Sequence, residues 1–227
     1  MKIMIKAIVL VGAMLSAFTV YAVDFGVELK WNTQDHDKVL KAMPEQKEAF
    51  GQLIKQGSIK DMYIYESEID GKPTRLIRFV ISGGSEKQVR NTLEKLPLYK
   101  QNLVKIVDVL PLGSKWLDKT PLVYNYGITM TWKEGIDPAE IDRVLGIDLQ
   151  RVVSLNQAGF LTSAYLNTQE VSEGVTRPVY HVAFIAQDEA HVKELSKQFE
   201  AIRMGYAEIQ VQPLGNKVNL DNLVGSQ

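Results

Sequence analysis

The sequence predicts an α+β protein made of two tandem ferredoxin-like βαββαβ modules, packed sheet to sheet as a pseudo-dimeric α+β barrel. Three observations carry this reading. Landmarks recur along the chain at a steady offset of 101 or 102 residues. Both copies show the same order of strand-like and helix-like apolar patterns. A lone antiparallel sheet with both helices on one face would leave its other face bare, and a second copy can cover it.

The landmarks are specific. Gly26-Val27-Glu28-Leu29-Lys30-Trp31 returns as Gly127-Ile128-Thr129-Met130-Thr131-Trp132. Gln56-Gly57 leading to Tyr63 returns as Ala158-Gly159 leading to Tyr165, and Val107 to Gly113 returns as Ile209 to Gly215. In the first copy, Val27, Leu29 and Trp31 alternate with Glu28 and Lys30, the period of a half-buried strand. A helix follows; Pro44 suits its first turn, Ala49, Phe50, Leu53 and Ile54 form its apolar face, and Gly57 ends it. Met62 to Ser67 and Leu76 to Ile81 read as strands joined by an Asp70-Gly71 hairpin turn. Ser85 and Gln88 form a capping box for a second helix carrying Val89, Leu93 and Leu96 up to Pro97. Val104 to Leu110 closes the unit as a strand. The second copy repeats the order with strand 127–132, helices between Pro138 and Ala158, strands 162–168 and 178–185, helix 189–202 and strand 207–212. Domain bounds follow: a signal peptide at 1–22, modules at 23–113 and 126–215, a linker at 114–125 and a tail at 216–227.

The chain has 227 residues, 45% of them apolar and 23% charged, with a formal net charge of -1. That balance is globular, and it lacks the basic surplus of a nucleic-acid binder. The absence of cysteine excludes disulfides and thiolate metal sites. Lys2 and Lys6 precede an uncharged apolar run from Ala7 to Val23, and Val20-Tyr21-Ala22 offers a signal-peptidase site. The run is short for a bilayer span, so cleavage after Ala22 and a periplasmic or secreted protein without a stable membrane anchor are expected.

The ends of the copies carry a family resemblance. Leu96-Pro97-Leu98-Tyr99 followed by Val107 to Leu112, and more loosely Met204 to Leu214, resemble the C-terminal signature of the muconolactone isomerase-like family, whose small members pair two subunits through their sheets. The resemblance implies a dimeric α/β-barrel fold within one chain and an isomerase-type proton shuttle on a small organic acid. It also implies a weaker reading, heme held by His181, because other members of that superfamily accommodate heme.

Candidate chemistry rests on few residues. The three histidines are His36, His181 and His191. His36, between Asp35 and Asp37, and His191, near Asp188 and Glu189, read as solvated helix starts, and no metal site is expected. His181 sits inside the strand Pro178 to Phe184, on the face shared by Val179 and Ala183. If that face points inward, His181 is a candidate general acid/base or ligand donor; the alternative is an internal histidine satisfied by a neighbour. In the first copy, Phe79 or Arg78 falls at the matching place. Arg78 could clamp a carboxylate or pair with Glu28 or Glu66 across the sheet. Tyr63, Tyr165 and Tyr180 add hydroxyls for ligand contact, against a plain packing role. Gly83-Gly84-Ser85 lacks a Walker lysine and reads as a turn. No motif requires a cofactor, and the oligomeric state is left open. The functional expectation is an exported barrel binding a small molecule between its sheets, with a filled barrel that supports an interaction surface as the alternative.

Overall fold

A computed structural model describes residues 22–119 and 123–224. The expected signal peptide lies outside the described residues, apart from Ala22. Strand β1 (Val23–Trp31) leads into helix α1 (His36–Lys55), then β2 (Ile59–Ile69), β3 (Lys72–Gly83), α2 (Glu86–Leu93), the short α3 (Pro97–Lys100) and β4 (Val104–Asp118). The second half follows suit with β5 (Tyr124–Trp132), α4 (Pro138–Gln157), β6 (Leu161–Ser172), β7 (Val175–Ile185), α5 (Glu189–Ser196), α6 (Glu200–Arg203) and β8 (Ala207–Lys217). A final turn of helix, α7, spans Leu220–Val224.

Local chemistry explains most boundaries. Asp70 and Gly71 both take positive φ, at 52° and 70°, the backbone of a tight hairpin whose twist matches its strands. Ser85 accepts the Gln88 N–H at 3.2 Å, and the Gln88 side chain reaches back to the Gly84 N–H at 2.7 Å. One boundary differs from expectation. Helix α1 begins eight residues before Pro44, capped by Asp35, which accepts the Lys38 N–H at 3.0 Å. Pro44 therefore lies inside the helix, where it cannot donate to the carbonyl of Leu40. Leu40 is solvent-exposed, and water can take up that carbonyl.

The eight strands close into one barrel in the order β1-β3-β2-β8-β5-β7-β6-β4. Each half contributes four neighbours, and two antiparallel seams join them: β2 with β8, and β4 with β6. Seven of the twelve expected linker residues are strand: Ser114 to Asp118 continue β4 and pair with β6 from Leu166 back to Ser163, and Tyr124 and Asn125 open β5. The first residues of the expected tail are also strand, with Lys217 opposite Tyr63 and Asn216 opposite Ile64. Helices cover the outside in two separate apolar layers. The first half's layer includes Phe50 and Phe79, whose rings meet edge to face at 5.0 Å. The second half's includes Trp132, Tyr180, Phe184 and Phe199, all nearly without solvent contact. Among the described residues no helix is long and apolar enough to cross a membrane.

Closure depends on two equivalent glycines. Gly113 and Gly215 have φ of 84° and 107°, a region costly for side chains. A Cβ on Gly113 would overlap the Leu166 carbonyl oxygen, and one on Gly215 the Ile64 carbonyl oxygen. The repeated Pro-Leu-Gly therefore marks the place where one half's last strand crosses onto the other half's sheet.

Candidate functional site

Alternation in β7 sends Tyr180 and Phe184 to the helices and His181 and Ala183 to the barrel interior. There a cavity of about 100 Å³ lies between the halves. Its wall is mainly apolar, with Phe79, Leu110, Leu112, Ile128 and Leu214 among the lining residues, and its polar groups are two matching rows together with Asp108 and Gln212. In the second half Thr129 on β5 and Tyr165 on β6 both stand opposite His181. In the first half Glu28 on β1 and Tyr63 on β2 both stand opposite Arg78. The register therefore makes Arg78, not Phe79, the counterpart of His181.

Each row keeps buried nitrogen without a partner, Arg78 Nε in the first and both ring nitrogens of His181 in the second. Arg78 donates to Glu28 Oε1 at 2.7 Å and to the Pro213 carbonyl, and its guanidinium lies 4.4 Å from the centre of the Tyr65 ring. The other carboxylate oxygen of Glu28 accepts from Gln212 Nε2 at 2.8 Å. This is the Glu28 pairing weighed against a ligand clamp, and Gln212 and Pro213 tie it to the opposite half. His181 is 7% exposed, and neither Nδ1 nor Nε2 has a hydrogen-bond partner. Burial lowers its pKa to about 4, so the imidazole is neutral at pH 7 and offers one donor and one acceptor.

The tyrosines divide. Tyr63 and Tyr165 line the cavity, with their hydroxyls turned toward a buried polar cluster at one end of the barrel. Asp61 is its centre: its carboxylate accepts from Tyr165 and Ser163 and faces Lys115 Nζ at 3.1 Å and Lys217 Nζ at 3.0 Å. Lys217, 1% exposed at its side chain, also reaches Asp118 at 2.6 Å. Burial raises the pKa of both tyrosines well above the ordinary phenol value, which keeps them as neutral donors. Tyr180 stands elsewhere. It faces the helices, donates to Asp148 Oδ2 at 3.0 Å and does not line the cavity. The cluster was legible only in one detail, the extension of the repeat by two residues to Lys115 and Lys217. His36 and His191 sit at helix starts as expected, and among the described residues no group of three or more histidines and carboxylates is placed to hold a metal.

The architecture defines a class: an α+β barrel of two ferredoxin-like halves in one chain. No protein-family model matches the sequence. No curated protein matches it either. Solved structures do. A proposed chlorite dismutase superposes with a TM-score of 0.53 at 11% identity, covering 90% of this chain and 98% of its own. A variant of chlorite dismutase from Candidatus Nitrospira defluvii gives 0.53 at 11% identity, with 89% and 93% covered. A heme-binding protein from Thermus thermophilus gives 0.52 at 12% identity over the same shares. At this identity the likeness is one of fold. It overturns the muconolactone isomerase-like resemblance and the isomerase expectation built on it: the neighbours are chlorite dismutases and a heme-binding protein. The strand-stop motif behind that resemblance has a structural cause in this chain, since Pro-Leu-Gly serves barrel closure at Gly113 and Gly215.

Proposed function

We propose that this chain binds a molecule of a few heavy atoms at His181, in the cavity between its halves. The observation that carries the reading is that His181 lines that cavity while neither of its buried ring nitrogens has a partner. Burying an unsatisfied polar group costs about 1–3 kcal/mol, a cost that a ligand's hydrogen bonds would offset. Proton shuttling is poorly served there, because an imidazole with a pKa of about 4 is far from the neutral range where acid/base catalysis is most effective.

Heme, which one neighbour is named for binding, does not suit these residues. The cavity of about 100 Å³ is well below the roughly 300 Å³ at which pockets for drug-sized ligands begin. The space between the second half's sheet and helices is filled by Trp132, Tyr180, Phe184 and Phe199.

Replacing His181 by leucine tests the proposal. Removal of an unsatisfied polar group at nearly constant volume is expected to raise stability by about 1–2 kcal/mol in urea denaturation. Added hemin is expected to keep its free spectrum with either protein. A loss of stability on His181→Leu, or a stoichiometric heme complex that this substitution abolishes, contradicts the reading.

A further inference from the structure

Resting on the site proposed at His181, we infer that its ligand touches both halves and carries an oxygen acceptor for the Nε–H of Arg78. Duplication set Glu28, Arg78 and Tyr63 in one row and Thr129, His181 and Tyr165 in the other. Arg78 and His181 line the same cavity. Arg78 is held by the far end of its guanidinium. One terminal nitrogen donates to Glu28 Oε1 at 2.7 Å, the other donates to the Pro213 carbonyl, and the group lies 4.4 Å from the centre of the Tyr65 ring. Glu28 is fixed in turn by Gln212 Nε2 at 2.8 Å. These contacts leave Nε buried and without a partner. Its N–H is a charge-assisted donor already held in place, so a ligand can use it without displacing Glu28.

A guanidinium nitrogen donates and never accepts, so the ligand atom that meets it is an acceptor. The neutral imidazole of His181 adds one N–H and one lone pair. Among the unpartnered buried nitrogens of the cavity wall, donors therefore outnumber acceptors. Size places both residues on one ligand. A cavity of about 100 Å³ is the room of roughly three liquid waters at about 30 Å³ each, and a molecule that fills it lies against both halves. The mainly apolar wall, with Phe79, Leu110 and Ile128, suits a short alkyl body. A small carbonyl or carboxyl compound has these parts.

Acetone and acetate test the inference in the full chain at pH 7, since both carry the acceptor and they differ in charge. 2-Methylpropene has the shape of acetone without its oxygen. The readouts are the NMR signals of the Arg78 Nε–H and the His181 ring nitrogens, assigned by their loss in Arg78→Lys and His181→Leu. Lysine puts a methylene where Nε stands and keeps a cation for Glu28. Acetone or acetate is expected to move both residues' signals, the stronger of the two giving the ligand's charge, while 2-methylpropene leaves the Arg78 signal in place. Followed at His181, the same compound is expected to bind Arg78→Lys at least about tenfold more weakly, a difference of about 1.4 kcal/mol. Movement at His181 alone, or unchanged affinity in Arg78→Lys, overturns the inference and leaves the His181 site standing. An equal shift of the Arg78 signal by 2-methylpropene overturns the acceptor. If the His181 nitrogens stay unmoved by both compounds, the site falls and the inference with it.

Discussion

Arg78 and His181 hold equivalent places in the two copies, and their surroundings give them different roles. Arg78 spends its charge on Glu28, and that ion pair is tied to the other half through Gln212 and Pro213. Its side chain is 14% exposed and that of Glu28 28%. Arg78→Ala is therefore expected to strand a half-desolvated carboxylate and cost roughly 1–3 kcal/mol in urea denaturation. Glu28→Gln in the same chain should recover part of that loss; a larger loss in the double variant would show that the pair is not the source. The sequence shows His181 as a lone imidazole in an apolar strand, which was enough to single it out. It could not show that Arg78 was already engaged, because that depends on cross-strand register and on a carbonyl 135 residues away. Tyr180 illustrates the opposite failure: alternation separated it from His181, and its partner Asp148 comes from a distant helix.

At the scale of elements, the seams between the halves are the sensitive parts. β2 meets β8 over two residue pairs, whereas β4 meets β6 over four. The shorter seam is reinforced by Lys217 and Asp61, both almost fully buried. Gly215 crosses directly over the Ile64 carbonyl at positive φ, so Gly215→Ala is expected to cost about 3 kcal/mol or more through overlap and strain. Gly174 has φ of 70° but open space around it, and Gly174→Ala should cost clearly less in the same denaturation experiment. Equal losses would mean that backbone strain alone, and not seam closure, governs both sites. The repeat made the order of elements readable, because periodicity and turn residues are local signals. Their lengths were less readable. Strand β4 runs on to Asp118 and β8 to Lys217, since those ends are paid for by pairing with the other half. Helix α1 starts at His36 because Asp35 caps it and Val39 and Ala42 extend its buried face, a signal outweighed in the sequence by the proline.

The whole molecule is a barrel that one chain closes upon itself, and its interior dictates a response to acid. The folded His181 imidazole has a pKa of about 4 against an ordinary value of 6.5. Between those values the unfolded chain binds a proton that the folded chain refuses. His181 therefore adds no acid penalty above pH 6.5, and stability falls as the pH drops toward 4, by up to about 3 kcal/mol. His181→Leu should lack that share of the loss, which denaturation at pH 7 and pH 4 will reveal; parallel losses in both proteins would exclude it. The family reading made from the strand ends was mistaken for a reason of the same scale, because those residues serve the closure of this barrel at Gly113 and Gly215.

The most direct measurement is a pH titration of the His181 ring nitrogens by NMR in the intact chain. A neutral, unpartnered imidazole buried between the two halves stays unprotonated until about pH 4. Protonation near 6.5, as in water, or above it, as beside a carboxylate, would contradict the buried and unsatisfied site on which the functional proposal stands.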